Sequence, residues 1–537
     1  MAMRCRIVFM KSCSIPTLSA VMLAALTICT SAEVTPNSLF CDHMVLQRER
    51  PLPIWGVADP GEKISVRFAG ETKQGTAGAD GKWMVVLKPK PVSGNGQALV
   101  IQGKNTVTIK DVLVGDVWLG TGQSNMDWNL NVTDRKEEIL KMPPGTFDRI
   151  RLFKVAETGA DAPVANAAGT WTLASTEEIM KFSATLFYFG EELQKHLPEV
   201  PLGLIRSSVG ATNLYSWIPN EVRDQDPSAE SLRTWWGNAT KTWTPEKQAQ
   251  RDRETAEYFA KVDELKKAKQ PVPATLVKPG ELIGPRWSRR PSALYNGMIA
   301  PLQPFALRGQ IWYQGEWDSK WDWVTVYHDL FVAYAREYRA RWAAASGEKA
   351  LGQYPIYLVQ LPAREPGDGR YWPYMREVQE KLGTDVPDSG FVVTYDTNDP
   401  KELHPKEKSP IGRRLAWLAL GKTYGQKVSW RGPRFVEARP VNGGLMVNFD
   451  PGNGELKSRD GEALRGFELA GDDGNYQTAA AEIRGNAVFL KAAGVQKPKT
   501  VRYAFVPALE KPNFVNTAGL PAVPFRTDGL PLPGKPK

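Results

Sequence analysis

Cysteine and histidine are the scarce chemical groups of this chain, with four of each in 537 residues. Cys5, Cys13 and Cys29 fall within the first 32 residues, so Cys41 stands alone beyond them. That excludes an intrachain disulfide and a Cys-rich zinc site from the remainder, and no metal or organic cofactor is expected. Long apolar runs are also few. The one at residues 15–29 follows Arg4, Arg6 and Lys11 and ends in Thr30, Ser31 and Ala32. It is shorter than the roughly 20 residues a membrane span needs and reads as a secretory signal peptide, residues 1–32, cleaved after Ala32. Ile28 is bulky where lipidation of Cys29 would want a small residue. Excess charge is small too: +9 overall, or +6 once the three cations of the leader are removed. It is spread along the chain, with no basic arm for nucleic acid. These deficits describe a secreted or periplasmic protein without nucleic-acid partners or a span after cleavage. Its length suits two or three domains whose cores are large enough to dispense with disulfides; the oligomeric state is left open.

Residues 33–110 alternate apolar and polar positions in short runs, at 52–56, 63–68, 82–87, 98–101 and 106–109, separated by turn residues such as Pro60-Gly61 and Asp80-Gly81. This spacing predicts a small β-sandwich. Residues 111–426 change to strands alternating with helices: strands at 112–119, 202–205, 308–313, 355–359 and 391–395, helices at 182–197, 327–344, 375–382 and 406–424. Such alternation implies a mostly parallel sheet covered on both faces, a three-layer α/β/α domain. A charged, Trp-rich helical insertion at 220–290 interrupts it, and its tryptophans would suit stacking on sugars. From 427 to 537 short strands and Gly/Asp/Asn turns return, predicting a second β-sandwich-like domain with a loose Pro-rich tail.

Within the α/β segment an apolar strand ends in a small-residue turn bearing Ser124, at the carboxyl edge where open sheets bind ligands. The plainer reading is a strand-to-helix loop in which Ser124 caps residues 126–142. A hydroxyl nucleophile needs a base. His43, His196 and His328 read as structural or solvated, whereas His404 lies in the polar loop DTNDPKELHP (396–405), held extended by Pro405, over the same sheet edge. Asp396, Asp399 and Glu402 are each near enough in sequence to orient its imidazole, and spacing does not choose among them. Gly210 in SSVGAT (207–212) and Gln314 in WYQGEW (312–317) offer donors to an oxyanion at two further strand ends.

The stretch GDVWLGTGQSNM (115–126) resembles the first block of the sialate O-acetylesterase family, a branch of the SGNH hydrolases. YQGE (313–316) and LHP (403–405) resemble its later blocks, and the similarity extends to DHMVLQR (42–48) and GLPAVPFRTD (519–528), so it covers nearly the whole mature chain in order. The resemblance implies an SGNH-hydrolase-like fold and a serine esterase that removes O-acetyl groups from sugars. It implies Ser124 as nucleophile, His404 as general base, and an oxyanion hole of Ser124, Gly210 and Gln314. The general pattern has aspartate three residues before the histidine, where this chain has Lys401; Asp399 is the first choice for the third member, Glu402 the second, and a Ser-His dyad a further possibility. Sialate is the substrate in the family's name, with Arg286 or Arg376 available to its carboxylate, while acetylated xylan or xyloglucan is the alternative. A non-catalytic glycan-binding protein is the rival of another class, and it predicts no turnover of an acetyl ester.

Overall fold

Thr106–Gly122 is one continuous strand of 17 residues and the axis of the molecule. The computed structural model describes residues 33–273, 275–365, 371–397 and 399–532, so the expected leader and Cys29 lie outside the described residues. The two halves of this strand differ in burial as their sequences do. Its first residues are exposed in alternation, and everything from Val112 onward is buried, as expected where a half-solvated antiparallel ladder passes into a parallel sheet covered on both faces. Asp111, with φ 52°, marks the bend between them. Its carboxylate accepts from His43 Nδ1 at 2.8 Å and from Arg151 at 3.1 Å.

Before the bend the strand pairs antiparallel with Ser93–Gln102, which pairs in turn with Lys63–Phe68. Thr35–Pro36, Leu52–Val57 and Lys82–Leu87 form a separate three-stranded sheet against them. Past the bend the same strand lies between Leu202–Ser208 and Gly309–Tyr313, parallel to both. The order across this sheet is Trp171–Leu173, Ile150–Lys154, Leu202–Ser208, Thr106–Gly122, Gly309–Tyr313, Ile356–Val359, Ser389–Val392. Only the outermost Trp171–Leu173 runs antiparallel to its neighbour.

Side chains alternate between the faces, as the two-residue period of a strand requires. Trp118, Ile311, Tyr313 and Tyr357 pack beneath the helices Ala184–His196 and Ser409–Lys422. Val117, Leu119, Trp312 and Ile356 join the helices Trp321–Ser346 and Trp372–Asp385, together with the apolar residues of the N-terminal strands. The result is the three-layer α/β/α arrangement. The first helix pair is in backbone contact: a Cβ at Gly412 would stand 2.7 Å from the Phe189 nitrogen.

The insertion folds as Asn220–Gln225, Glu230–Ala239 and Pro245–Lys267, the last capped by Thr244 with Pro245 in its first turn. Its tryptophans are partly withdrawn from the surface, and Trp236 lines a cavity of about 570 Å³ with Tyr215 and Arg290. Trp235 and Trp236 are half-buried against Trp287 and Trp323, with the Trp236 and Trp287 rings stacked at 6.1 Å. Indole burial within the insertion is worth more than exposure to water, about 25 cal/mol per Å² covered.

The C-terminal residues form two four-stranded antiparallel sheets, one of Arg434–Val441, Gly444–Asp450, Ala487–Lys491 and Ala480–Arg484, the other of Gln477–Thr478, Phe467–Ala470, Thr500–Tyr503 and Phe525–Arg526. Val447, Phe449, Leu469, Val488, Val501, Tyr503 and Phe514 fill a core between them, the arrangement of a sandwich.

Candidate active site

The strand Thr106–Gly122 ends in Gly122 at φ 130°, where any Cβ would collide with the Tyr313 carbonyl of the neighbouring strand. Only glycine fits there. The chain then turns through extended Gln123 into the short helix Ser124–Asp127. Ser124 is therefore the first helical residue and not a cap, and residues 126–142 break into this helix, Leu130–Val132 and Lys136–Leu140. A helix start leaves its leading N–H groups without intrahelical partners. Neither the Ser124 N–H nor the Gly210 N–H meets an acceptor among the described residues. The two residues are neighbours, since a Cβ on Gly210 would sit 3.5 Å from Ser124 Cβ.

His404 arrives from the far end of the sheet domain, 280 residues later, and its Nε2 lies 2.8 Å from Ser124 Oγ. Trp128 stacks on the imidazole with centroids 4.1 Å apart and planes 16° from parallel. Burial pushes the ring down to a pKa of about 4, helped by the positive charges of Lys408 and Arg364. The imidazole is consequently neutral at neutral pH, with Nε2 free to accept the serine proton when Nδ1 carries the hydrogen.

The carboxylates expected as third member take different places. Asp396 is spent on structure: buried, it accepts two hydrogen bonds from Arg414, at 2.6 and 2.8 Å, and one from Arg459 at 2.6 Å. Although burial opposes ionisation, the two guanidinium groups hold its carboxyl below the usual range. Asp399 Oδ1 accepts from the Lys401 N–H at 3.0 Å, and its carbonyl accepts from the Glu402 N–H at 2.9 Å. That makes it a turn former in the His404 loop. Asp399 and Glu402 line an acidic cavity of about 390 Å³ with Asp396 and Glu407. Among the described residues no hydrogen bond joins Asp399 to His404, so the Asp399 assignment gains no support from the geometry.

Gln314 also departs from expectation. It is fully buried, its Nε2 donates to Thr212 O at 3.0 Å and to Asp318, and it approaches Gln123 Oε1 at 3.2 Å, while its Oε1 accepts from Tyr327 Oη at 2.8 Å. Both N–H groups of a carboxamide are thereby committed. In this arrangement Gln314 supports the Thr212 loop and gives no proton to an oxyanion. Arg376, expected as a carboxylate binder, is buried and donates to the carbonyls of Leu361, Pro362, Val506 and Pro507. Arg286 pairs with Asp252 inside the insertion.

Sequence reasoning passed over four side chains around the pair: Asn125, Trp128, Glu316 and Lys408. Asn125 and Glu316 stand inside the motifs at 115–126 and 313–316. Lys408 carried no signal, because a lysine at a helix start is ordinarily solvated.

With this geometry in place, comparison with known proteins is informative. A family model described as a carbohydrate esterase, sialic acid-specific acetylesterase, matches residues 236–421, which include Glu316 and His404. The sialate O-acetylesterase of Mus musculus is 26% identical over 442 residues, 76% of this chain and 77% of that protein. Its Homo sapiens counterpart is 26% identical over 424 residues, 73% and 72% of the two chains. The crystal structure of a carbohydrate acetylesterase from Xanthomonas citri superposes with a TM-score of 0.75 at 29% identity, covering 93% of this chain and all of that one.

Proposed function

We propose that this carboxylic ester hydrolase, a relative of the sialate O-acetylesterases, cleaves O-acetyl groups from sugars through an acetyl-enzyme on Ser124. The observation that carries the reading is the 2.8 Å contact between Ser124 Oγ and His404 Nε2. Oγ attacks the acetyl carbonyl as Nε2 takes its proton, and the charge on the carbonyl oxygen falls to the unpaired N–H groups of Ser124 and Gly210. The imidazolium returns the proton to the sugar oxygen as it leaves. Water, deprotonated by the same ring, then releases acetate. Asp396 is held by two arginines and Asp399 by its own loop, which supports reading the pair as a dyad in which the Trp128 face stabilises the transient imidazolium through its π electrons, with Glu402 the remaining candidate for a third member.

The substrate follows from the relatives' names, with sialate esters first. Arg376 and Arg286 are both engaged elsewhere, which favours testing neutral acetylated polysaccharides beside them. Among the described residues no helix is long and apolar enough to cross a membrane, and export through the leader at 1–32 belongs to the same reading. The test is acetate release by the wild type, Ser124→Ala and His404→Ala on acetylated sialic acid and acetylated xylan oligomers. Loss of at least about 10³-fold in both variants is expected for a nucleophile and its base. Turnover that survives in both rejects the mechanism, and the ratio of rates on the two substrates decides the sugar.

A further inference from the structure

Directly behind the Ser124 turn, one buried carboxamide joins three segments that are distant in sequence. Asn125 is fully buried. Its Nδ2 donates to the Glu316 carboxylate and, at 3.3 Å, to the carbonyl of Leu403, the residue before His404. Its Oδ1 accepts from the ammonium of Lys408, and its main-chain carbonyl accepts from Thr185 Oγ1 at 3.2 Å. An asparagine between an anion and a cation has no freedom to flip, since nitrogen must face the carboxylate and oxygen the ammonium.

Lys408 is itself fully buried, with Nζ 5.2 Å from the centre of the Tyr313 ring. The second Glu316 oxygen, Oε2, is buried without a hydrogen-bond partner among the described residues. Burial works against both charges, raising the Glu316 pKa and lowering that of Lys408 to about 7, and breaking such an arrangement on one side is strongly destabilising. A plain strand-to-helix turn would need neither.

We propose that Asn125, Glu316 and Lys408 are positioning residues: the two opposite charges clamp the Asn125 carboxamide, which holds the His404 loop by the Leu403 carbonyl and so sets the base against Ser124. This rests on the reading of Ser124 and His404 as nucleophile and base. The same lysine faces the imidazole electrostatically. Lys408 from the segment that follows the ring and Arg364 from the adjoining loop both lower its pKa, and the uncharged Trp128 covers one face. Three nearby acids are held by other groups, Asp396 by Arg414 and Arg459, Asp399 by the Lys401 N–H and Glu316 by Asn125, while Glu402 stands two residues before the ring on the same loop. Lys408 therefore has two effects, mechanical through Asn125 and electrostatic on His404, and they have separate readouts.

The test is hydrolysis of 4-nitrophenyl acetate by the full-length protein from pH 4 to 9, comparing Glu316→Gln, Lys408→Met, the double variant, Arg364→Met, Ser124→Ala and His404→Ala. Misplacing a reacting group by about 1 Å costs on the order of 10²-fold. Glu316→Gln and Lys408→Met should accordingly lose about ten- to a hundredfold in kcat with KM within about twofold. Lys408→Met and Arg364→Met should each move the acid limb of kcat/KM to higher pH, because removing a cation lets His404 retain its proton longer. Replacing both members of the clamp leaves no buried charge unpaired, so the double variant should fold with near wild-type stability and still show the low kcat and raised limb. The proposal is overturned if the folded double variant, or either single one, keeps wild-type kcat and an unmoved limb. Turnover persisting in Ser124→Ala and His404→Ala would instead reject the nucleophile and base beneath it.

Discussion

Two β-rich regions flank the α/β domain, and each is fastened to it by one buried aspartate holding two arginines. At the N-terminal seam Asp116, fully buried, accepts from Arg48 and Arg308, as well as from Gln47 and Tyr424. At the C-terminal seam Asp396 accepts from Arg414 and Arg459. The clamps are alike, yet the seams are not. The N-terminal strands share the strand Thr106–Gly122 and a continuous apolar core with the sheet. The C-terminal sandwich has its own core, entered from the α/β side by Val393 and Tyr395. Elsewhere it meets the α/β domain through mixed contacts, polar ones such as Arg526 to Glu377 and Arg376 to the Val506 carbonyl and apolar ones such as Phe505 on Tyr374 and Trp430 against the sheet-domain core. A shared strand makes two regions fold as one, whereas a seam between separate cores leaves them able to part.

The sharpest way to break this contrast is Asp116→Ala. It strands two guanidinium groups in the shared core and should cost about 3–5 kcal/mol, seen in urea as one cooperative transition displaced for the whole molecule. Asp396→Ala should cost less, about 2 kcal/mol, because Arg459 keeps access to water. It should also split off an early transition from the C-terminal sandwich and lower acetate release, since Asp396 begins the loop that carries His404. Arg459→Ala, which leaves the Asp396–Arg414 pair in place, should change stability by no more than about 1 kcal/mol. Finding one displaced transition for Asp396→Ala would show the two seams to be equivalent.

The weakest effect separates the seams from the site by pH. The ordinary imidazole value of 6.5 falls to about 4 for His404, so the unfolded chain binds more protons than the folded one between those values. Stability should therefore fall as pH drops from 6.5 to 4, and His404→Ala should flatten that slope in thermal melts. The two clamped aspartates are held low and act in the same sense, but in a more acidic window. Their stabilisation is complete above the ordinary aspartate range and is lost only at stronger acidity, so it survives in the His404 variant.

The alternating pattern and the apolar runs made the three-layer sheet legible, because both faces of a parallel strand must be covered and every strand therefore reads as hydrophobic. The positions of Ser124, Gly210 and His404 at strand ends were legible for a related reason: glycine, serine and a pre-proline histidine are rare where chain should be regular. Gln314 and Asp399 take partners the sequence did not suggest, because a short polar string does not say which way its side chains turn. Gln314 turns inward to Thr212 and Asp318, and Asp399 turns onto its own loop. The bend at Asp111, where sandwich strand and sheet strand prove to be one, left no mark in composition because aspartate is equally at home in a turn.

By itself the amino-acid sequence determined which segments are strands and helices, which face of each is apolar, and which few residues have the chemistry of a nucleophile and a base. Those are local properties, set by side-chain type and a period of two or nearly four residues. Tertiary structure alone decided that Ser124 and His404 meet, that Asn125 lies between Glu316 and Lys408, and which arginines hold Asp116 and Asp396. Such partners stand up to about 300 residues apart, where no periodicity reaches and only the packing of the folded chain selects one carboxylate for one cation.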